Sequence, residues 1–217
     1  MTDRQRVVRR LQETFAWRDT PVGEFADLSG WWRDPELLRM LGPSLAELHA
    51  GEAAGEAAGA AAAGQTDAGQ TGQGARPADA PGRPTVVAGI ETRGLVLGPL
   101  TALHLGVGFV EVRKEYRIAG EGQRDGDDPM LRAQTPPDYQ DGGLTLMAPR
   151  RLFGPQDRVL LVDEWIESGA QANAVRRMVA EAGAEWAGVA VIVDACEPRV
   201  RERLGVRGLV AEADLPG

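Results

Sequence analysis

Two kinds of apolar pattern divide the chain. Near the start, Val7, Val8, Leu11 and Phe15 recur at helical spacing and predict an amphipathic helix over Arg4 to Phe15. Asp34-Pro35 reads as an N-cap and first-turn pair opening a second helix. Gly42-Pro43 is expected to break or kink it, with Ser44 and Glu47 at capping-box spacing restarting it toward His49. Residues 16–33 carry turn formers and aromatics without a period and read as a shaped loop covering something. From residue 85 the pattern changes to short aliphatic runs without alternation: Thr85 to Ile90, Phe109 to Val112, Val159 to Val162 and Gly188 to Val193. Such runs fit strands covered on both faces. Helical stretches at Leu95 to Leu105, Ala172 to Ala182 and Pro198 to Leu204 separate them, with further strands at Leu144 to Met147 and Leu209 to Ala211. The alternation predicts an α/β fold, an open, mostly parallel twisted sheet flanked by helices, with ligands at the carboxyl ends of the strands.

Two stretches stand outside this pattern. Residues 51–83 are mostly Ala and Gly, with almost no large side chain to bury, and read as a disordered insertion that carries no chemistry. Residues 115–142 are rich in acids, prolines and glycines, a connection of a length expected of a functional lid or a disordered segment. The expected organisation is N-terminal helices and a hood over 1–50, the insertion over 51–83, and a core over 84–217 with a mobile lid at 115–142.

Composition narrows the function. The 217 residues, 43% hydrophobic and 26% charged, suit a globular chain with a substantial core. A formal net charge of −8 argues against a nucleic-acid partner. The one cysteine, Cys196, excludes an internal disulfide framework and reads as a small buried residue in a reducing, cytoplasmic setting. The first residues lack a signal-peptide core and no run reaches membrane-span length, so no membrane role is expected. His49 and His104 are isolated and read as structural or exposed.

Three strand ends carry the chemistry. Val159 to Val162 runs into Asp163-Glu164 and then the small-residue turn Ser168-Gly169-Ala170, followed by a helix whose N-terminus would face a bound phosphate. The Thr85 to Ile90 run ends in Glu91-Thr92-Arg93-Gly94, and the Phe109 to Val112 run in Arg113-Lys114. Four aliphatics before Asp-Glu also resemble the magnesium strand of P-loop ATPases, but no G-x-x-x-x-G-K-[ST] occurs. A core strand ending in two solvated acids is the other local reading. Taken together, cations at two ends and acids beside a phosphate cradle suit a substrate with a diphosphate, vicinal hydroxyls and a monophosphate. Phosphoribosyl pyrophosphate (PRPP) is one such molecule. Arg93 offers paired N–H donors, Lys114 a point charge, and Asp163 and Glu164 acceptors for ribose hydroxyls or for magnesium-bound water.

The stretches VVAGIETRGLVLGPLTALHLGVGFVEVRKE and RVLLVDEWIESGAQANAVRRMVAEAGAEWAGVAVIVDACEP resemble the pyrophosphate-loop region and the PRPP-binding motif of the type I phosphoribosyltransferases, most of all the adenine phosphoribosyltransferases. PVGEFADLSGWWRDPELLRM resembles that family's base-covering segment, and Asp138-Tyr139 stands where its mobile loop has Glu-Tyr. The resemblance implies purine salvage: a purine base, most simply adenine, plus PRPP gives AMP and pyrophosphate, with Mg2+, in a cytoplasmic homodimer. It implies that Thr92, Arg93, Arg113 and Lys114 bind pyrophosphate, with a cis peptide at Thr92-Arg93. Asp163, Glu164, Ser168, Gly169, Ala170 and Gln171 would bind PRPP, with Asp163 and Glu164 reaching the metal through its water. Phe25, Ala26 and Trp165 would contact the base, Trp165 as its floor, and Asp138 would serve as lid acid or base.

Departures from the family pattern add expectations. Glu164 replaces Asp, Ser168 replaces Thr, and Ala170 replaces a glycine at a turn that would cost roughly 1 kcal/mol or more if positive φ were required. Glu167 puts a carboxylate beside the phosphate cradle, and is expected to face the base and handle its proton as a second catalytic group. Ala26 stands where the family has Arg, and Thr135 where it has the lid's first tyrosine. A transferase for another nitrogenous base, or a non-catalytic PRPP-binding regulator, are the alternative functions.

Overall fold

The structure, a computed structural model, describes residues 2–21, 23–49, 82–115, 129–137 and 143–217. The first helix, α1, spans Asp3–Thr14 and is closed by a reciprocal cap between Thr2 and Gln5. The stretch expected as a loop instead folds into a two-stranded antiparallel hairpin, β1 (Ala16–Thr20) and β2 (Gly23–Asp27), and a short helix α2 (Ser29–Arg33). Asp34 caps α3 (Pro35–Glu47) by accepting from the Glu36 and Leu37 N–H groups. This helix runs unbroken through Pro43, against the expected break. Leu41 and Leu45, fully buried on either side, hold it in place, and Gly42 lies so close to the Leu100 carbonyl that a side chain there has no room.

The core is β3 (Val86–Ile90), α4 (Gly94–Leu105), β4 (Gly108–Lys114), β5 (Met130–Gln134), β6 (Thr145–Pro149), β7 (Arg158–Ile166), α5 (Ala170–Ala182), β8 (Glu185–Asp194), α6 (Pro198–Leu204) and β9 (Val206–Ala211). Seven strands form one sheet in the order β5-β6-β4-β3-β7-β8-β9. Pairing is parallel from β4 through β9 and antiparallel where β6 meets β4 and β5. β5 falls inside the stretch expected to be wholly lid. Residues 116–128 and 138–142 of that stretch, and residues 51–81, lie outside the described residues.

The unalternating aliphatic runs have the expected cause. Along β7, Val159 and Leu161 face a cluster with Val175, Met178 and Val179 of α5, while Leu160 and Val162 face one built by α1, α3 and α4. The N-terminal helices therefore form part of one covering layer. β3 lies between β4 and β7, so the strand order reverses beside it, and the crevice at the carboxyl ends of β3 and β7 is where such sheets bind ligands.

Candidate functional site

The acids sit within β7 and not beyond it, because pairing with β8 continues through Trp165↔Val193 and Ile166↔Asp194. Asp163 and Glu164, on consecutive residues, enter the crevice side by side. Glu164 meets Arg93, Nη1 to Oε1 2.9 Å, from the turn after β3. Loss of hydration and the neighbouring Glu164 push the Asp163 carboxyl well above its usual range. Burial would raise Glu164 too, but hydrogen bonds with Asp163 and Arg93 outweigh it and hold Glu164 low.

Thr92 and Arg93 line a cavity of about 380 Å³ together with Glu91, Lys114, Asp163, Glu164, Trp165 and Gln171. A cis peptide joins Glu91 to Thr92, one bond before the expected position. Glu91 accepts the backbone N–H of Lys114 at 3.0 Å, tying the ends of β3 and β4 together. Lys114 enters the cavity, whereas Arg113, one residue earlier on a pleated strand, turns away and makes two bonds to Glu111 at 3.0 and 3.1 Å. Arg113 does not line the cavity.

A second cavity, of about 140 Å³, opens over Glu167, Ser168, Gly169, Ala170 and Gln171. Gly169 carries the left-handed conformation of the turn, φ 70°, and α5 begins with Ala170. The cost anticipated for Ala170 does not arise, since positive φ falls one residue earlier. A β-carbon on Gly169 would also come within 2.7 Å of Val200 and Leu204 of α6. Ser168 Oγ accepts the Ala170 N–H at 3.3 Å, at the turn that opens α5. Glu167 is exposed at the rim. Asp163, Trp165 and Gln171 line both cavities, which makes them the joint between the cation-bearing end and the cradle.

Trp165 meets two N-terminal rings, Phe15 at 6.5 Å nearly parallel and Trp17 at 6.1 Å edge-on. Sequence patterning did not mark Phe15 and Trp17 as site residues, since Phe15 reads as helix face and Trp17 as loop. Ala26 is paired across the hairpin with Trp17 and packs with it on the N-terminal cluster. Phe25 pairs with Arg18 on the opposite face and is 51% exposed, so the structure does not bring it against Trp165. Asp138 lies outside the described residues. Cys196 is buried, which pushes its thiol up to about 11, and its expected structural role fits.

With this geometry in view, comparison with known proteins is decisive for the family. The phosphoribosyl transferase domain matches residues 73–211. The chain belongs to the type I phosphoribosyltransferase family. An adenine phosphoribosyltransferase from Synechococcus sp. (strain JA-3-3Ab) is 38% identical over 108 residues, 50% of this chain and 56% of that protein. One from Acidovorax sp. (strain JS42) is 34% identical over 127 residues, 58% of this chain and 64% of its own. The match thus spans somewhat over half the length of these relatives. The crystal structure of adenine phosphoribosyltransferase from Rhodothermus marinus superposes with a TM-score of 0.65 at 24% identity, over 95% of this chain and 99% of that one, a likeness of fold. Within this phosphoribosyltransferase domain no helix of the described residues is long and apolar enough to cross a membrane.

Proposed function

We propose that the protein transfers a phosphoribosyl group from PRPP to a purine base, adenine first among candidates, in cytoplasmic purine salvage. The observation that carries this reading is the junction of the two cavities at Asp163, Trp165 and Gln171. A diphosphate against Arg93 and Lys114 and a monophosphate on the first turn of α5 leave the ribose between them, over Asp163 and Glu164. The base nitrogen attacks C1′ as the bond from C1′ to the pyrophosphate oxygen breaks. The electron pair leaves with pyrophosphate, and the base gives up one proton. Stabilisation is chiefly electrostatic and positional, as suits a charge-separating displacement. Glu167 at the cradle rim and Asp138 are the proposed proton acceptors; Ser168, Gly169, Ala170 and Gln171 hold the monophosphate.

The donor set suits Mg2+ brought by the substrate. Asp163 and Glu164 are adjacent acids, and no group of three or more metal-binding side chains occurs among the described residues. Magnesium is commonly held by one or two carboxylates, its waters and substrate phosphates. Bound there, the ion would supply positive charge to the departing diphosphate.

Trp165, which stands in place of the family's aliphatic residue, and Ala26, which stands in place of its Arg, favour a second reading in which another nitrogenous base is used. Pyrophosphate release from PRPP and Mg2+ with adenine, hypoxanthine, guanine, xanthine and uracil tests both readings. Release with adenine is expected; release with another base alone moves the substrate assignment. PRPP binding without release on any base would replace transfer with a regulatory role. Sedimentation equilibrium tests the homodimer that the resemblance implies.

A further inference from the structure

Among the described residues lining the two cavities, Trp165 alone is aromatic. It therefore offers the one flat apolar surface at the junction where a base would meet the ribose. Its indole is not free-standing. Trp17 packs edge-on against it at 78°, and Phe15 lies within 25° of its plane. Trp17 and Phe15 also meet each other, 5.2 Å apart and nearly perpendicular, so the three rings form a closed triangle. Phe15 in turn packs on Trp31 at 6.0 Å, and Trp31 is fully buried with its indole N–H donating to the Leu11 carbonyl at 3.0 Å. The triangle is thus anchored in the core, and a ring held along an edge and beside a face cannot turn without displacing both neighbours.

We propose that Trp17 is a positioning residue that sets base affinity and selectivity by fixing the plane of Trp165. This rests on the reading that a base binds beside Trp165. The substrate class it implies is a planar aromatic heterocycle that stacks on a surface unable to adjust, so a base that cannot lie flat is excluded by geometry. Trp17 comes from β1, paired with β2 in the N-terminal hairpin, so the proposal gives that hairpin a part in base selection. Sequence order concealed the link, because the rings that meet are separated by almost the whole core.

The test compares Trp17→Leu, Trp17→Phe, Trp165→Leu and the Trp17→Leu/Trp165→Leu double variant in the full chain. Each is measured for KM of PRPP and for KM of the base that gives the fastest pyrophosphate release. The expected result for Trp17→Leu is a rise of roughly tenfold in the base KM, the size of lost edge-to-face packing, with the PRPP KM within about twofold. Trp17→Phe should recover most of that loss, and the double variant should be no worse than Trp165→Leu alone, because Trp17 acts through Trp165. Equal changes in both KM values, no change in either, or additive losses in the double variant would overturn the inference. Failure of the proposed activity looks different: the wild type then releases no pyrophosphate with any base, which overturns the activity and this inference with it.

Discussion

One methylene separates Glu164 from the aspartate of the usual family motif, and the longer side chain meets Arg93. The Arg93 guanidinium, proposed above to bind a diphosphate, is paired with this carboxylate at 2.9 Å. A diphosphate bound as proposed competes with this carboxylate, so Glu164→Asp, which shortens the acid's reach toward Arg93, is expected to tighten PRPP binding about three- to tenfold in a calorimetric titration. Weaker or unchanged binding would mean that Arg93 serves both acids at once. Arg93→Ala removes a charge-assisted contact and should weaken PRPP binding by at least about tenfold. The residue types at this site were legible because acids and cations after aliphatic runs are out of place in a core. The pairing was not, because Arg93 and Glu164 lie 71 residues apart and meet only through the β3–β7 register.

At the scale of elements, the cradle is a joint between β7, α5 and α6, and it depends on one glycine. Gly169 supplies the left-handed turn, and its missing side chain leaves room for Val200 and Leu204. Gly169→Ala should cost about 1–3 kcal/mol in urea unfolding, through strain and displacement of α6, and should weaken phosphate binding with it. Ala170→Gly, which matches the family pattern, should instead lose about 0.5–1 kcal/mol, since residue 170 is helical and needs no positive φ. The first half of β7 and most of α4 were readable from continuous apolar runs, whereas the continuation of β7 through Asp163 to Ile166 rests on its pairing with β8. The hairpin of β1 and β2 was not, because its strands have no apolar alternation: its residues are mostly exposed, and cross-strand pairing, which leaves no local signature, defines it. Pro43 misled for the opposite reason. A local helix-breaking rule, worth about 3 kcal/mol, lost to the burial of Leu41 and Leu45.

Over the whole molecule, the aliphatic runs announced a sheet covered on both faces, but not that the N-terminal helices supply one of the covers. His49, at the end of that layer, shows how closely the two are joined. Its Nε2 donates to the Val189 carbonyl of β8 at 3.1 Å, its Nδ1 is buried without a partner, and the ring fits only because Gly188 has no side chain. Burial, with Arg207 and Arg158 nearby, lowers its pKa to about 4. The folded ring therefore stays neutral at a pH where the unfolded chain has taken up a proton. Stability linked to His49 is fully present above about pH 6.5 and falls as the pH drops toward 4, by on the order of 3 kcal/mol. Other groups titrate in the same range, so the contribution has to be read as a difference. Unfolding free energies of wild type and His49→Gln, measured in urea from pH 7 to pH 4, should converge or cross as the pH falls. Parallel curves would show that the ring titrates as freely in the fold as in the unfolded chain, and that the contact between the N-terminal layer and β8 opens without global unfolding.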